Sequence, residues 1–282
     1  MTYTDLLSTS SDRFDSIVCL GLDPVLDKIP LSETDVRVKI TRFFKEILSE
    51  IKNQNIYPSA VKPNYAFYAQ YGFDGLYALK DVIDMYKAES IPVILDSKRG
   101  DIGTTSAAYA KESFEFFGAD AVTLAPYMGY DSISPFIDKY PDKGYYILCR
   151  TSNKSAIDFQ NLETGKSPLY IEVAKKICEW NASGLGAVTG ATYPGELQKI
   201  EDVFSSYNKN IPLLIPGVGS QGGDVAAIIG ILKKTSDIRM HRINSSSGII
   251  FAHEKHKNLS FAEAAVTELK LLNSQISSLV KG

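Results

Sequence analysis

The sequence predicts an α/β protein built as a single (β/α)8 TIM barrel over residues 1–282. Three observations predict it. Eight short apolar runs recur along the chain, each of four to seven residues and rich in Val, Ile, Leu or Ala, as strands covered on both faces read. Amphipathic stretches with helical spacing separate them. The length, 282 residues, suits one barrel, and no low-complexity linker or compositional break divides the chain. An open doubly wound sheet is the alternative that this pattern leaves.

The elements follow in order. The first strand is expected at 16–22 (SIVCLGL), then a helix over 34–51, where Val36, Ile40, Phe43, Phe44 and Ile47 fall three or four apart and Thr34 or Asp35 is placed to cap. A strand at 59–62 precedes a helix at 75–87, and a strand at 92–96 precedes a helix at 105–117, capped by Thr104, Thr105 or Ser106. Strands at 119–124, 145–149, 186–189, 212–216 and 238–244 alternate with helices at 131–139, 169–180, 195–203, 223–233 and 261–279.

Composition narrows the function. Hydrophobic residues make up 44% and charged residues 22%, which fits a globular chain with a substantial core. Thirty Lys plus Arg against 33 Asp plus Glu give a net charge of −3. Such a chain is not expected to coat nucleic acid or an anionic membrane, although a local anion pocket remains compatible. Cys19, Cys149 and Cys178 are odd in number and form no C-x-x-C, which fits a reducing compartment, and Cys19 and Cys149, inside the apolar runs SIVCLGL and YYILCR, read as small core residues. The N-terminus lacks a signal-peptide layout, and no apolar run approaches the ~20 residues of a membrane helix. A cytoplasmic location is expected.

In a barrel of this kind the active site lies at the C-terminal ends of the strands. Those ends are unusually charged here. VILDSKRGDIGTT places Asp96 and Lys98 two apart on an extended strand, hence on one face, with Asp101 in the loop and Gly100 and Gly103 permitting tight turns. Taken alone, an Asp-x-Lys pair also fits a surface ion pair beside a helix start. VKPN ends the preceding strand with Lys62 and Asn64, and GLDP ends the first with Asp23. Opposite charges gathered in one cleft hold each other ionised, and a fixed ammonium can stabilise developing negative charge and deliver a proton. On the seventh strand, PGVGSQGG brings Gly217, Gly219, Ser220, Gln221, Gly222 and Gly223 before a helix start. That is a pattern whose backbone N–H groups bind phosphate, and it also occurs as a plain turn.

Taken together these segments resemble the orotidine 5′-phosphate decarboxylase family, in its bacterial group with longer insertions. The family's D-x-K-x-x-D-I-x-x-T pattern appears as Asp96, Lys98, Asp101, Ile102 and Thr105, and GLDP, VKPN, RTSN, GATYP and PGVGSQGG follow in the family's order over nearly the whole chain. The resemblance implies decarboxylation of orotidine 5′-phosphate to uridine 5′-phosphate, without metal or organic cofactor, by a homodimer with shared sites. It implies Lys98 as the proton donor to C6 of the pyrimidine. Asp96 would sit beside the substrate carboxylate and hold Lys98. Lys62 would complete the array and reach the ribose, and Asp101, Ile102 and Thr105 would enter the partner's site. It further implies ribose contacts from Asp23 and Asn64, a pyrimidine contact from Ser152 and a phosphate contact from Gln221.

One position departs from the pattern. The family carries a phosphate-gripping arginine directly before Gly-Ile at the end of the eighth strand, and here Ser247 precedes Gly248 and Ile249. Losing such a charge-assisted contact costs about 1.5–3 kcal/mol. Arg242 lies roughly 16 Å earlier along an extended strand and is not expected to substitute. Arg150 sits near the expected pyrimidine contacts.

Other readings of the same residues are a magnesium-dependent sugar-phosphate decarboxylase or aldol lyase on the same barrel, and a nucleotide-binding relative with weakened catalysis. His253 and His256, three apart, have metal-ligand spacing on a helix, but no third ligand or H-E-x-x-H accompanies them, so a solvated helix start is expected. Thr151, Ser152 and Ser155 lack the G-x-S-x-G elbow of a serine nucleophile.

Overall fold

Every residue of β1 Val18–Gly21, β2 Ala60–Lys62, β4 Ala121–Leu124, β6 Leu185–Thr189 and β8 Arg242–Ser245 is buried. This is the double-sided burial that their apolar sequences demand. With β3 Ile94–Arg99, β5 Gly144–Arg150 and β7 Leu213–Pro216 they form one parallel sheet, ordered β2-β1-β8-β7-β6-β5-β4-β3. The remaining seam, between β2 and β3, is closed by the parallel bridges Val61–Val93 and Asn64–Asp96, and Val61 N donates to Pro92 O at 2.9 Å. The sheet is therefore the barrel that the alternating pattern predicts. The computed structural model describes residues 1–218, 223–234 and 237–282.

Helices cover the outer face and the ends of the barrel. They are α1 Tyr3–Phe14, α2 Val36–Gln54, α3 Tyr65–Ala69, α4 Gly72–Ala88, α5 Gly103–Lys111, α6 Ser134–Lys139, α7 Leu169–Trp180, α8 Pro194–Ser206, α9 Val225–Leu232, α10 Ser247–Ile250 and α11 Phe261–Lys281. Asp35 caps α2 by accepting from Val38 N at 2.8 Å, one of the two caps the sequence allows. Two expectations change. The residue capping α5 is Ile102, without a side-chain cap bond, so Thr104, Thr105 and Ser106 lie inside its first turn. Gly103 reaches this entry through a positive φ of 55°, available to glycine without steric cost. The eighth strand begins only at Arg242. Ile238–Met240 is a 3-10 turn, because Asp237 accepts from Arg239 N at 3.0 Å and curls the chain.

Two apolar layers follow from strand alternation. Val18, Leu20, Val61, Leu95, Val122, Ile147, Leu213 and Ile243 face the helices. Cys19, Ala60, Ile94, Ala121, Tyr146, Val188 and Leu214 fill the barrel interior together with Tyr3 and Leu7 of α1. The first helix, which the polar N-terminal sequence did not announce, thus plugs one end of the barrel. Fully buried Arg242 fastens it, donating to Leu7 O at 2.7 Å and Ser11 Oγ at 3.1 Å. All three cysteines are buried with free thiols. Among the described residues no helix is long and apolar enough to cross a membrane.

Candidate active site

The interior positions Ala60, Ile94 and Ala121 line the plugged part of the barrel. Two residues further along each strand stand Lys62, Asp96 and Thr123, which point to the same side at the opposite end. Their convergence gives one carboxylate four donors. Asp96 Oδ2 accepts from Lys62 Nζ at 2.9 Å and Asn64 Nδ2 at 3.1 Å. Asp96 Oδ1 accepts from Lys98 Nζ at 2.6 Å and Thr123 Oγ1 at 2.8 Å.

Electrostatics keep this cluster charged. Burial opposes ionisation of Asp96, but the ammonium groups of Lys62 and Lys98 outweigh it and hold the carboxyl well below the usual carboxylate range. Burial likewise opposes the charge on Lys62, and Asp96 and Asp23 overturn it and raise that pKa. Exposure separates the two lysines. The Lys98 side chain is 47% exposed, against 6% for Lys62 and 8% for Asp96. Lys98 is therefore the more accessible of the two ammonium groups.

Lys98 arrives there by a route that simple alternation misses. Its φ is +47°, and the β3–β4 register shifts between Leu95 and Arg99. A left-handed residue costs roughly 1–2 kcal/mol. Thr123 Oγ1 offsets this by accepting from Lys98 N at 2.9 Å while donating to Asp96. Thr123 thus ties the strained backbone to the carboxylate. In the sequence it is one residue of the strand expected at 119–124, with no role assigned.

Asp23 is held by Asn64 N at 3.1 Å and by Ser246 Oγ at 2.6 Å. Asp23, Lys28, Lys62, Gly217, Ser247 and Phe251 line one cleft of about 330 Å³. A larger cleft of about 670 Å³, bordered by Arg13, Tyr57 and Lys270, shares none of these residues.

The other expected residues are distributed differently. Asp101 Oδ1 accepts from its neighbour Ile102 N at 2.8 Å, while Ile102 and Thr105 are exposed, so within one chain these three stand outside the cluster. Ser152 follows β5 and is half-buried. Gln221 lies outside the described residues. Ser247 opens α10.

The expected helix start at Gly223 is corrected. It falls at Val225, and Asp224 accepts from Ala226 N at 2.9 Å and Ala227 N at 3.1 Å. A carboxylate of the chain itself therefore takes two backbone donors of the first turn of α9, while residues 219–222 of the glycine-rich loop lie outside the described residues. As anticipated, Arg242 does not serve the mouth, since it is bound to α1. Arg150 Nε lies 2.6 Å from Glu196 Oε2 as an ion pair without hydrogen-bond alignment, and its guanidinium stacks 5.0 Å over Tyr193. His256 pairs with Glu268 at 2.6 Å. Among the described residues no group of three or more His, Cys, Asp or Glu side chains could hold a metal ion.

A parallel barrel with an Asp-centred pair of lysines at its mouth defines the class of barrel enzymes that act through fixed charge. The orotidine 5′-phosphate decarboxylase / HUMPS family matches residues 16–260, and the chain belongs to that family. It is 42% identical over 278 residues to orotidine 5′-phosphate decarboxylase of Cupriavidus metallidurans, covering 97% of this chain and 98% of that protein. Among solved structures, Leishmania donovani OMP decarboxylase superposes with a TM-score of 0.81 at 33% identity and covers 100% of both chains. Leishmania donovani UMP synthase superposes with a TM-score of 0.80 at 34% identity over 98% of this chain, which spans only 57% of that longer one.

Proposed function

We propose that the chain decarboxylates orotidine 5′-phosphate to uridine 5′-phosphate, a step of pyrimidine biosynthesis, with Lys98 as the proton donor. The observation that carries this reading is the carboxylate of Asp96, saturated by four donors, holding one buried and one half-exposed ammonium. The relatives named above support the reaction and favour it over a sugar-phosphate lyase.

The chemistry suits the geometry. The bond between C6 and the carboxylate carbon breaks, carbon dioxide departs, and the electron pair stays on C6 with little resonance help. Groups already in place must stabilise that charge. Lys98 lies at the exposed edge of the array and passes one proton to C6, and its amine then takes a proton from solvent. Asp96 fixes Lys98 and sits beside the substrate carboxylate. Lys62 keeps Asp96 ionised and faces the ribose with Asp23 and Asn64. Ser152 reads the pyrimidine, and Gln221 contacts the phosphate.

We infer that Asp101, Ile102 and Thr105 complete the site of a second copy, since they follow β3 beside the mouth with Ile102 and Thr105 exposed and Asp101 half-buried. Mixing inactive Lys98→Ala and Asp101→Ala proteins then restores about one quarter of the activity through hybrid dimers with one intact site. No recovery, or a monomer in sedimentation, contradicts the shared site. Ser247 stands in for the family's arginine, so Ser247→Arg is expected to raise kcat/KM roughly ten- to a hundredfold.

The reaction is tested by the ultraviolet decay of orotidine 5′-phosphate with purified protein, with and without EDTA. EDTA-resistant decay to uridine 5′-phosphate is expected. Absence of decay, or decay abolished by EDTA, overturns the reading.

A further inference from the structure

We propose that Lys28 supplies the cation that grips the substrate phosphate, a binding role that rests on the function proposed above. The phosphate belongs at the end of the cleft bounded by Gly217, Ser245, Ser246 and Ser247, from the ends of β7 and β8, where barrels of this kind commonly bind phosphate. A dianion there needs a positive partner, and the described residues leave few. Ser247 is neutral. Two donors at the start of α9, Ala226 N and Ala227 N, are taken by Asp224. Arg242 is buried against α1. Arg150 is paired with Glu196, and Lys62 and Lys98 are both committed to Asp96.

Lys28 lines the same cleft as Ser247 and Phe251. It enters from the β1 side, in the 3-10 turn Leu26–Lys28. Its ammonium lies 3.0 and 3.1 Å from the two carboxylate oxygens of Glu254 and 5.5 Å over the Phe251 ring. Both members of the pair are well exposed, with side chains 44% and 48% accessible. An exposed pair of this kind is weakly held. A phosphate dianion carries more charge than the Glu254 carboxylate and competes for the ammonium. The flexible lysine stem lets Nζ turn from Glu254 towards Ser247 without moving the backbone. Glu254 then serves as the resting partner that keeps Lys28 at the rim of the cleft.

The test compares Lys28→Ala, Lys28→Gln and Glu254→Gln, using orotidine 5′-phosphate and the phosphate-free nucleoside orotidine as substrates. If Lys28 grips the phosphate, both lysine variants lose at least roughly tenfold more kcat/KM on the phosphorylated substrate than on the nucleoside. Added methylammonium recovers part of that loss. Glu254→Gln, which breaks the same ion pair but keeps the ammonium, retains or improves turnover of the phosphorylated substrate. Equal losses on the two substrates, no loss on either, or the same loss in Glu254→Gln would each overturn the assignment, the last by showing that the pair only ties two loops together. Lack of turnover by the unsubstituted protein instead sinks the underlying function, so the two failures are distinguishable.

Discussion

At the residue scale, Thr123 and Lys98 show how the geometry of a charged cluster can rest on a neutral side chain. Thr123 holds Lys98 N and Asp96 Oδ1 at once. Thr123→Val keeps the shape and removes both bonds, so Lys98 is expected to lose its fixed position. Steady-state kinetics should show kcat reduced about tenfold or more with a small change in KM, and Thr123→Ser should restore most of it. A loss confined to KM would contradict a positioning role. The sequence made Asp96, Lys98, Lys62 and Asn64 legible because charged and polar residues at the ends of apolar strands have few other reasons to be there. It hid the positive φ of Lys98 and the part played by Thr123. Backbone hand is not written in a lysine codon, and a threonine inside AVTL reads as an ordinary β-branched strand residue.

At the scale of elements, the buried strands were readable from their continuous apolar character, and α7 is seen where its periodicity places it. The first helix was not, although its signals exist. Thr2 and Asp5 form a capping box, and Tyr3 and Leu7 lie four apart on the buried face. Serines and threonines around them dilute the apolar stripe. The β8 boundary failed for the opposite reason, since apolar Ile238 and Met240 continue the strand pattern while Asp237 turns the chain. The plug is expected to matter for stability more than for chemistry. Arg242→Met leaves Leu7 O and Ser11 Oγ without their buried donor, and chemical denaturation should report a loss of about 2–4 kcal/mol. The folded fraction should keep its kcat. A variant as stable as the parent would show that Arg242 does not fasten α1.

At the scale of the whole molecule, stability carries a pH signature from the end of the barrel away from the mouth. Glu201 lies in a cleft with His241, and burial, aided by nearby Asp202, pushes its carboxyl up to about 7. A raised carboxylate means that the folded state binds its proton more tightly than the unfolded chain. Stability from this group is therefore present below the unfolded carboxylate range and is lost as pH rises through about 7, by about 3 kcal/mol in all. His241 works in the opposite sense, because burial pushes it down to about 4 and its Nδ1 accepts from Leu213 N. Its contribution is present above the ordinary histidine range and lost as pH falls towards about 4. Glu201→Gln should thus raise Tm at pH 8 and leave it nearly unchanged at pH 5, as followed by calorimetry. An equal shift at both values would exclude a buried, proton-binding Glu201.

We assign the proton transfer to the Asp96-held ammonium of Lys98, and a single variant puts that assignment to the test. Decay of orotidine 5′-phosphate should be followed for Lys98→Ala beside the unsubstituted protein, with binding of uridine 5′-phosphate measured by calorimetry on the same samples. Loss of the general acid and its charge is expected to lower kcat by at least roughly a thousandfold, with product still bound. Turnover within tenfold of the unsubstituted protein would show that another group protonates C6 and would contradict the account.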